Sequence, residues 1–399
     1  MSHIKICIAG KNNIAVDVLE YILKHGICAK EEVVVVCNRT ETGENTWQKS
    51  LRYFAGFWGV KEVSLEDVYK MKNICFLSLE FDRIIRPERF QTQKLYNIHF
   101  SKLPQYKGCY TAIMPILNGE NEAGVTFHRM NSGIDTGEII DQITFTLEEK
   151  DTSRDLYFKC LFWGTKLVIS QLHNLKENKG YLSGYKQQSS GASYYARDAI
   201  DFSKISIDVK KTAAEIYNQL RAFSFREYQL PQIAGKNVFG AKVTEIPSCA
   251  KPGTIIWQDE WQGILATIDY DMVICWDAYE YVMKAAASGD VESLSKVPHL
   301  SRYVNQSGVH GWTPLIVAAY NGFYDVFMLL IANGANLQQR NWNGTTLLMY
   351  AKDGWRKTGD SRIFSYLRYH GASLYDTDYM GKKLRDYCND DEWRQLESF

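Results

Sequence analysis

The sequence predicts three parts: an α/β amino-terminal domain, a small mixed β-rich middle region and an all-α carboxyl-terminal domain of helical repeats. Three observations carry this. Short β-rich runs alternate with helical patterns through the first part of the chain, as in a parallel α/β sheet. Polar and small residues crowd 187–193 and mark a domain edge. From about Ala278 a turn-and-helix pattern recurs at a fixed step. At 399 residues the chain is long for one core, since domains usually hold roughly 100–200 residues. We therefore expect parts at 1–185, 186–277 and 278–399.

The chain opens Met1-Ser2-His3-Ile4-Lys5-Ile6-Cys7-Ile8-Ala9-Gly10, a first strand and not a basic leader followed by an apolar run. Strands are predicted at 5–9, 33–37, 74–79, 95–100 and 124–130. Ile14, Val18, Leu19, Ile22 and Leu23 recur at helical spacing and give a helix with one buried face. Thr152-Ser153-Arg154-Asp155 resembles a capping box, with Asp where Glu or Gln is usual, and a long amphipathic helix follows to about Leu175. The middle region reads as a helix at 212–222 and β segments at 237–246, 254–257 and 265–275. It looks like an appendage to the first domain.

Gly311-Trp312-Thr313-Pro314-Leu315 is followed by Ala318-Ala319, Asn321-Gly322, Leu329-Leu330 and Asn333-Gly334-Ala335, then by Asn343-Gly344-Thr345-Thr346-Leu347. The step from Gly311 to Gly344 matches the ~33-residue ankyrin period. A further unit ends at His370-Gly371-Ala372 and restarts near Gly381, stretched by an insertion around 357–361. Lys284-Ala285-Ala286-Ala287-Ser288-Gly289-Asp290 looks like a capped first unit.

Hydrophobic residues make up 45% and charged residues 23%, the balance of an ordinary globular protein. The 46 basic and 46 acidic side chains cancel, so the chain lacks the footprint of a general nucleic-acid binder. No segment approaches the ~18 uninterrupted apolar residues of a membrane span; the run at 161–175 is broken by Lys166, Ser170, Gln171 and His173. Nine scattered cysteines without C-x-x-C spacing read as reduced thiols of a cytoplasmic protein, with neither a disulfide frame nor a metal site.

Two segments carry chemistry: Asn97-Ile98-His99-Phe100-Ser101-Lys102-Leu103-Pro104 and His128-Arg129-Met130-Asn131-Ser132-Gly133-Ile134-Asp135-Thr136-Gly137. Asn97 and His99, two apart on a strand, share one face. They stand at the carboxyl end of a parallel strand, where open α/β sheets bind ligands. A turn between Gly133 and Gly137 can swing Asp135 toward them. Each residue alone is ordinary; together, amide, imidazole and carboxylate are what amine acylation requires. The amide donates to a developing oxyanion and the imidazole manages protons near neutral pH.

N-x-H-x-S-x-L-P followed by H-x6-D-x-G resembles the signature of the formyltetrahydrofolate-dependent formyltransferases, which include methionyl-tRNA, glycinamide ribonucleotide and sugar-nucleotide enzymes. The resemblance implies a Rossmann-like domain using N10-formyltetrahydrofolate, with Asn97, His99 and Asp135 as catalytic residues. His99 would transfer the proton, Asn97 would stabilise the formyl oxygen and Asp135 would orient His99 and raise its basicity. Leu79, Glu80, Phe81 and Asp82 look like the pterin-side loop, joined on the cofactor side by Ile134. Gly10-Lys11-Asn12-Asn13, between first strand and first helix, offers backbone N–H groups to a phosphate, so Lys11, Asn12, Asn13 and Lys102 fall on the substrate side. Cys109 lies on the loop after the catalytic strand and reads as incidental, because formyl transfer to an amine needs no covalent enzyme intermediate.

Asn218-Gln219-Leu220-Arg221-Ala222 resembles a carboxyl-terminal motif of the tRNA enzymes, but the ankyrin-like array is similar to bacterial enzymes acting on dTDP-linked 3-amino-3,6-dideoxyhexoses. That resemblance implies a cytoplasmic homodimer joined through the middle region, serving surface polysaccharide (O-antigen) biosynthesis, with neither nucleic acid nor membrane as partner. The fucose and quinovose epimers are not distinguished by any residue. Methionyl-tRNA formyl transfer, formyltetrahydrofolate hydrolysis and an ankyrin scaffold with an inactive enzyme domain stand as alternatives. Trp312 and Trp342, beside the repeat turns, are a candidate stacking surface for a second ligand, with packing as the competing reading; a protein partner at the repeats is the other possibility.

Overall fold

The computed structural model describes residues 4–399; Met1–His3, at the head of the predicted first strand, lie outside the described residues. The chain divides into two compact units. The first runs to Glu44 and continues through Gln48–Gln258 and Gln262–Cys275; the second holds Asn45–Trp47, Asp259–Trp261 and Trp276–Phe399.

In the first unit, β1 (Lys5–Gly10) leads into α1 (Asn12–Lys24), whose Ile14, Val18, Leu19 and Ile22 are buried on the predicted face. There follow β2 (Val33–Cys37), α2 (Leu51–Trp58), β3 (Lys61–Glu62), α3 (Leu65–Tyr69) and β4 (Ile74–Leu79). Next come β5 (Leu95–His99), β6 (Lys107–Gly108), α4 (Met114–Leu117), β7 (Glu122–Arg129), β8 (Ile139–Thr146), α5 (Ser153–Glu177) and β9 (Tyr194–Tyr195). Among the described residues the main sheet has seven strands in the order β3-β2-β1-β4-β5-β7-β8. β3 through β5 are parallel, as a parallel α/β architecture requires, and β7 and β8 add two antiparallel strands at one side. β8 was not anticipated: it is an edge strand whose Asp, Gln and Thr residues face partly outward, so it lacks the apolar run of a central strand.

The strand order reverses direction between β1 and β4, the usual ligand crevice of such sheets. Gly10 is required there, because a Cβ would overlap the Leu79 carbonyl oxygen. α5 begins with the anticipated box: the Asp155 carboxylate accepts from Thr152 N–H (2.9 Å) while Thr152 caps the helix.

The remainder of this unit holds α6 (Ala213–Ala222) and a second sheet of β10 (Gln232–Ile233), β11 (Lys236–Pro247), β12 (Ile255–Gln258), β13 (Gln262–Leu265) and β14 (Tyr270–Trp276), ordered β10-β11-β14-β13-β12. The single segment expected at 265–275 is a hairpin. Asp269 Oδ1 accepts from Ala213 N–H and Tyr270 N–H at 2.8 and 2.9 Å, and this turn parts β13 from β14.

The second unit contains α7 (Tyr279–Ser288), α8 (Val291–Ser295), α9 (Pro314–Asn321), α10 (Tyr324–Ala332), α11 (Leu347–Thr358), α12 (Arg362–Tyr369) and α13 (Asp390–Ser398). α9 packs between α7 and α11. Thr313 and Thr346 cap successive repeats at equivalent places. The hairpin tips are tied in series, Trp342 N–H to His310 O and Tyr379 N–H to Asn343 O. The insertion expected around 357–361 is not a separate loop: it lengthens α11 to Thr358 and ends in Gly359 at φ 72°. Among the described residues no helix is long and apolar enough to cross a membrane.

Candidate active site

β5 delivers Asn97 and His99 on one face, as alternation along a strand requires. β7 pairs with it so that His128 lies opposite Asn97 and Thr126 opposite His99. The chain then enters a turn closed by Asn131 Oδ1, which accepts from Gly133 N–H (3.1 Å) and the Thr136 hydroxyl (2.8 Å). Asp135 takes the left-handed conformation, φ 52°, and Gly137 follows where a Cβ would overlap the Arg129 carbonyl oxygen. The Asp135 carboxylate is thereby brought to 3.5 Å from His99 Nδ1 and 3.5 Å from His128 Nε2, and accepts from Gly108 N–H at 2.9 Å.

His99 Nε2 lies 2.8 Å from the Tyr106 carbonyl. A carbonyl only accepts, so Nε2 carries the proton and Nδ1 of the neutral ring presents its lone pair. Asp135 faces Nδ1 at a distance too long for a hydrogen bond. The hydrogen bond that fixes the ring's tautomer is therefore the one to the Tyr106 carbonyl, with the Asp135 carboxylate standing beside Nδ1. Burial pushes the His99 imidazole below its ordinary 6.5, with Asp135 pulling the other way. For Asp135, burial alone would raise the carboxyl, but His99, His128 and Gly108 N–H outweigh it and hold it at about 2. At neutral pH the pair is a carboxylate beside a neutral imidazole.

His128 was quoted in the motif without a role. Its Nδ1–H donates to Arg129 O (2.9 Å), which leaves Nε2 to accept from Asn97 Nδ2 at 3.1 Å. The Asn97 amide is thus held by one N–H and keeps the other for a ligand. Only the β5–β7 register reveals this partnership.

The expected ligand loops are braced from within. Asn12 Nδ2 donates to Glu80 (3.0 Å) and the Tyr157 hydroxyl (2.9 Å). Asn13 accepts from Lys49 N–H (2.9 Å) and its own N–H goes to Gln48 (3.0 Å), while Lys11 N–H goes to Leu79 O (3.2 Å). Asn12 and Asn13 side chains, expected on the substrate side, therefore hold the loop in place. Burial raises the Glu80 carboxyl, with Lys11 opposing. Glu80 O accepts from Asn38 (2.9 Å), Asp82 N–H donates to Asn38 (3.2 Å), and Phe81 packs on the core beside Phe76. Lys102 Nζ lies 3.0 Å from Glu122 at the start of β7. Ile134, by contrast, is 43% exposed next to Asp135.

A cavity of about 450 Å³ opens beside the 110–113 segment, with Tyr110, Phe202, Phe223, Phe225 and Tyr228 on its walls. Tyr157, which bonds Glu80, stands 5.7 Å from Phe225. Sequence reasoning missed this aromatic pocket, because its walls come from separate segments. The Cys109 thiol is pushed up by burial and stays protonated, in keeping with an incidental residue. In the second unit, Trp312 is half-buried and stands edge-on to Tyr320 (5.0 Å) and Tyr350 (5.2 Å), and Trp342 lies 6.3 Å from His310. Each indole is half-buried against rings of the repeats and half open to solvent.

Residues 66–172 match the formyl transferase family, and residues 282–378 match ankyrin repeats in three copies. An N-formyltransferase from Helicobacter canadensis, solved with folinic acid and dTDP-3-aminofucose, is 42% identical, with 69% of this chain and 100% of that one covered at a TM-score of 0.63. WlaRD, a sugar 3N-formyl transferase solved with dTDP and 5-N-formyl-THF, is also 42% identical, covering 69% and 98% at a TM-score of 0.64. The bifunctional polymyxin resistance protein ArnA of Wigglesworthia glossinidia brevipalpis is 30% identical over 187 residues, 44% of this chain and 27% of that protein. The chain spans 27% to 52% of the length of the first curated relatives it matches.

Proposed function

This chain belongs to the N-formyltransferases, and from that premise we propose that it moves the formyl group of N10-formyltetrahydrofolate to the amine of a dTDP-linked 3-amino-3,6-dideoxyhexose. The observation that carries the reading is the convergence of Asn97, His99 and Asp135 on one buried point. The 42% identity to two solved N-formyltransferases, each covered almost end to end, supports it.

The residues fit the chemistry. When bound, the folate supplies an acyl carbon open to attack by an amine. Asn97, with one N–H held by His128, directs the other at the oxygen on which charge develops. His99 Nδ1 takes the proton that leaves the amine, since Nε2 is already protonated against Tyr106, and returns it to the folate nitrogen that would part from the formyl carbon. The ionised Asp135 stabilises the imidazolium so formed. Ile134 offers an exposed apolar face beside these groups for a flat ring, and we place it, with what remains open of the Leu79–Asp82 backbone, on the cofactor side. The aromatic cavity suits a nucleotide base, because stacking needs only a π-face. We assign the Lys11 ammonium to a substrate phosphate.

We further propose a homodimer through the five-stranded sheet. Ile246, Ile256, Trp257, Ile268 and Tyr270 are all exposed there, a concentration of apolar surface that a second copy would cover. A formylated nucleotide sugar is a glycan precursor, which fits a place in surface polysaccharide assembly inside the cytoplasm. Incubation with the folate and a panel of dTDP-aminosugars, read by mass gain on the sugar, tests the reading; activity confined to methionyl-tRNA, or free formate as the only product, would replace it.

A further inference from the structure

The 185–195 stretch has the composition of a linker, yet it bonds to the site at each end and in between. Tyr185 exchanges two backbone hydrogen bonds of 2.9 Å with Ile139, just past the Asp135 turn. Gln187 Nε2 donates to both Asp135 O and Gly137 O at 2.8 Å. Ser193 accepts from Tyr106 N–H through its hydroxyl (2.8 Å) and from Lys107 N–H through its carbonyl (2.9 Å). β9 then pairs with β6, and Cys109 N–H reaches Tyr195 O at 2.8 Å. The backbone so held is the backbone that sets the chemistry: Tyr106 O orients His99, and Gly108 N–H grips Asp135.

We propose that Gln187 is a positioning residue for the Asp135 carboxylate, and that the strap at 185–195 fixes the geometry of the Asp135–His99 pair; this rests on the formyl-transfer reading. Asp135 occupies a left-handed backbone conformation, which aspartate tolerates better than most non-glycine residues but which still favours glycine, and ties from outside the turn hold it there. Gln187 provides two of them, to backbone carbonyls, while the carboxylate makes its own bond to Gly108 N–H. A single primary amide spans the carbonyls of Asp135 and Gly137, on either side of Thr136, which stops this end of the turn from rolling Asp135 away from His99. Its Oε1 is buried without a partner among the described residues, so both bonds this side chain makes there are spent on the turn. An amide is suited to the task because two N–H groups on one nitrogen reach two acceptors at once. Among the described residues, His128 from β7 lies against Asp135, and the Cys109 thiol, held protonated by burial with Arg197 opposing, stands near it.

The test is a histidine-ring NMR titration of the full-length protein without ligands, set beside formyl-transfer kinetics. Asp135→Asn should lower the His99 midpoint, because a neighbouring carboxylate favours the imidazolium. Gln187→Met should move it in the same direction, and should add nothing when combined with Asp135→Asn. In kinetics Gln187→Met should lower kcat about 10-fold or more, as displacing a reacting group by an ångström can cost about 10²-fold, with the KM of the amine substrate held and the acid limb moved to lower pH. A folded Gln187→Met with the wild-type His99 midpoint and kcat overturns the proposal, as does a loss that multiplies with that of Asp135→Asn. Gln187→Leu takes its place should the methionine variant not fold. If the wild-type protein formylates no amine, the functional reading fails, while the titration still decides the role of Gln187.

Discussion

Exchanging Asp135 for asparagine removes one charge and leaves the shape of the site, because Asn retains an oxygen to accept from Gly108 N–H. The carboxylate stands 3.5 Å from His99 Nδ1, with only 9% and 12% of the two side chains exposed. At that distance and an effective dielectric of ~20, its attraction for an imidazolium is roughly 4–5 kcal/mol. Taking about half as what the transition state gains, roughly 2–3 kcal/mol, the variant should lose about 10²-fold in kcat. The pH dependence has a definite sign. Burial already sets His99 below 6.5, and Asp135 is what opposes that shift. Removing the carboxylate lowers the midpoint further, so the acid limb of kcat/KM moves to lower pH while the plateau falls. Continuous assay of formyl transfer from pH 5 to 9, roughly the range over which an imidazole changes charge, reads both effects. A folded Asp135→Asn enzyme with an unchanged plateau and limb would refute the assignment of charge stabilisation to Asp135.

Other substitutions probe the remaining parts. His99→Ala and Asn97→Ala should each lower kcat by ~10²-fold or more in steady-state assays, with native circular dichroism. Trp312→Ala should lower the thermal stability of the repeats, by about 2 kcal/mol for a half-buried aromatic, and leave formyl-transfer kinetics unchanged; a native melt together with weakened dTDP-sugar binding would restore the ligand reading of that indole. Trp257→Lys on β12 should shift the protein toward monomer in sedimentation velocity, and an undisturbed dimer would move the interface elsewhere.

The parallel half of the main sheet was legible because β1, β2 and β4 are buried on both faces and so read as unbroken apolar runs. β8 was not, since an edge strand needs no such run. The break between β13 and β14 was hidden because its cause is a carboxylate bonding to α6, remote in sequence. Asn97, His99 and Asp135 could be brought together from alternation and a glycine-flanked turn. What orients them could not: His128 acts through strand register, Tyr106 through a backbone carbonyl, and Gln187 across more than fifty positions of sequence. Composition marked 187–193 as an edge, since polar residues that serve a site look like polar residues that serve a linker. The repeats were read from their turn residues, yet the burial of Trp312 depends on Tyr320 and Tyr350, one on its own repeat and one on the next.

The central claim is that Asn97, His99 and Asp135 pass a formyl group to an amine on a nucleotide-linked sugar. Its most direct test is mass spectrometry of a dTDP-3-amino-3,6-dideoxyhexose after incubation with the protein and N10-formyltetrahydrofolate, with His99→Ala in parallel. The account predicts one formyl group gained on the sugar nitrogen with the wild-type protein and almost none with the variant. An unmodified sugar beside released formate, or equal formylation by both proteins, would contradict it.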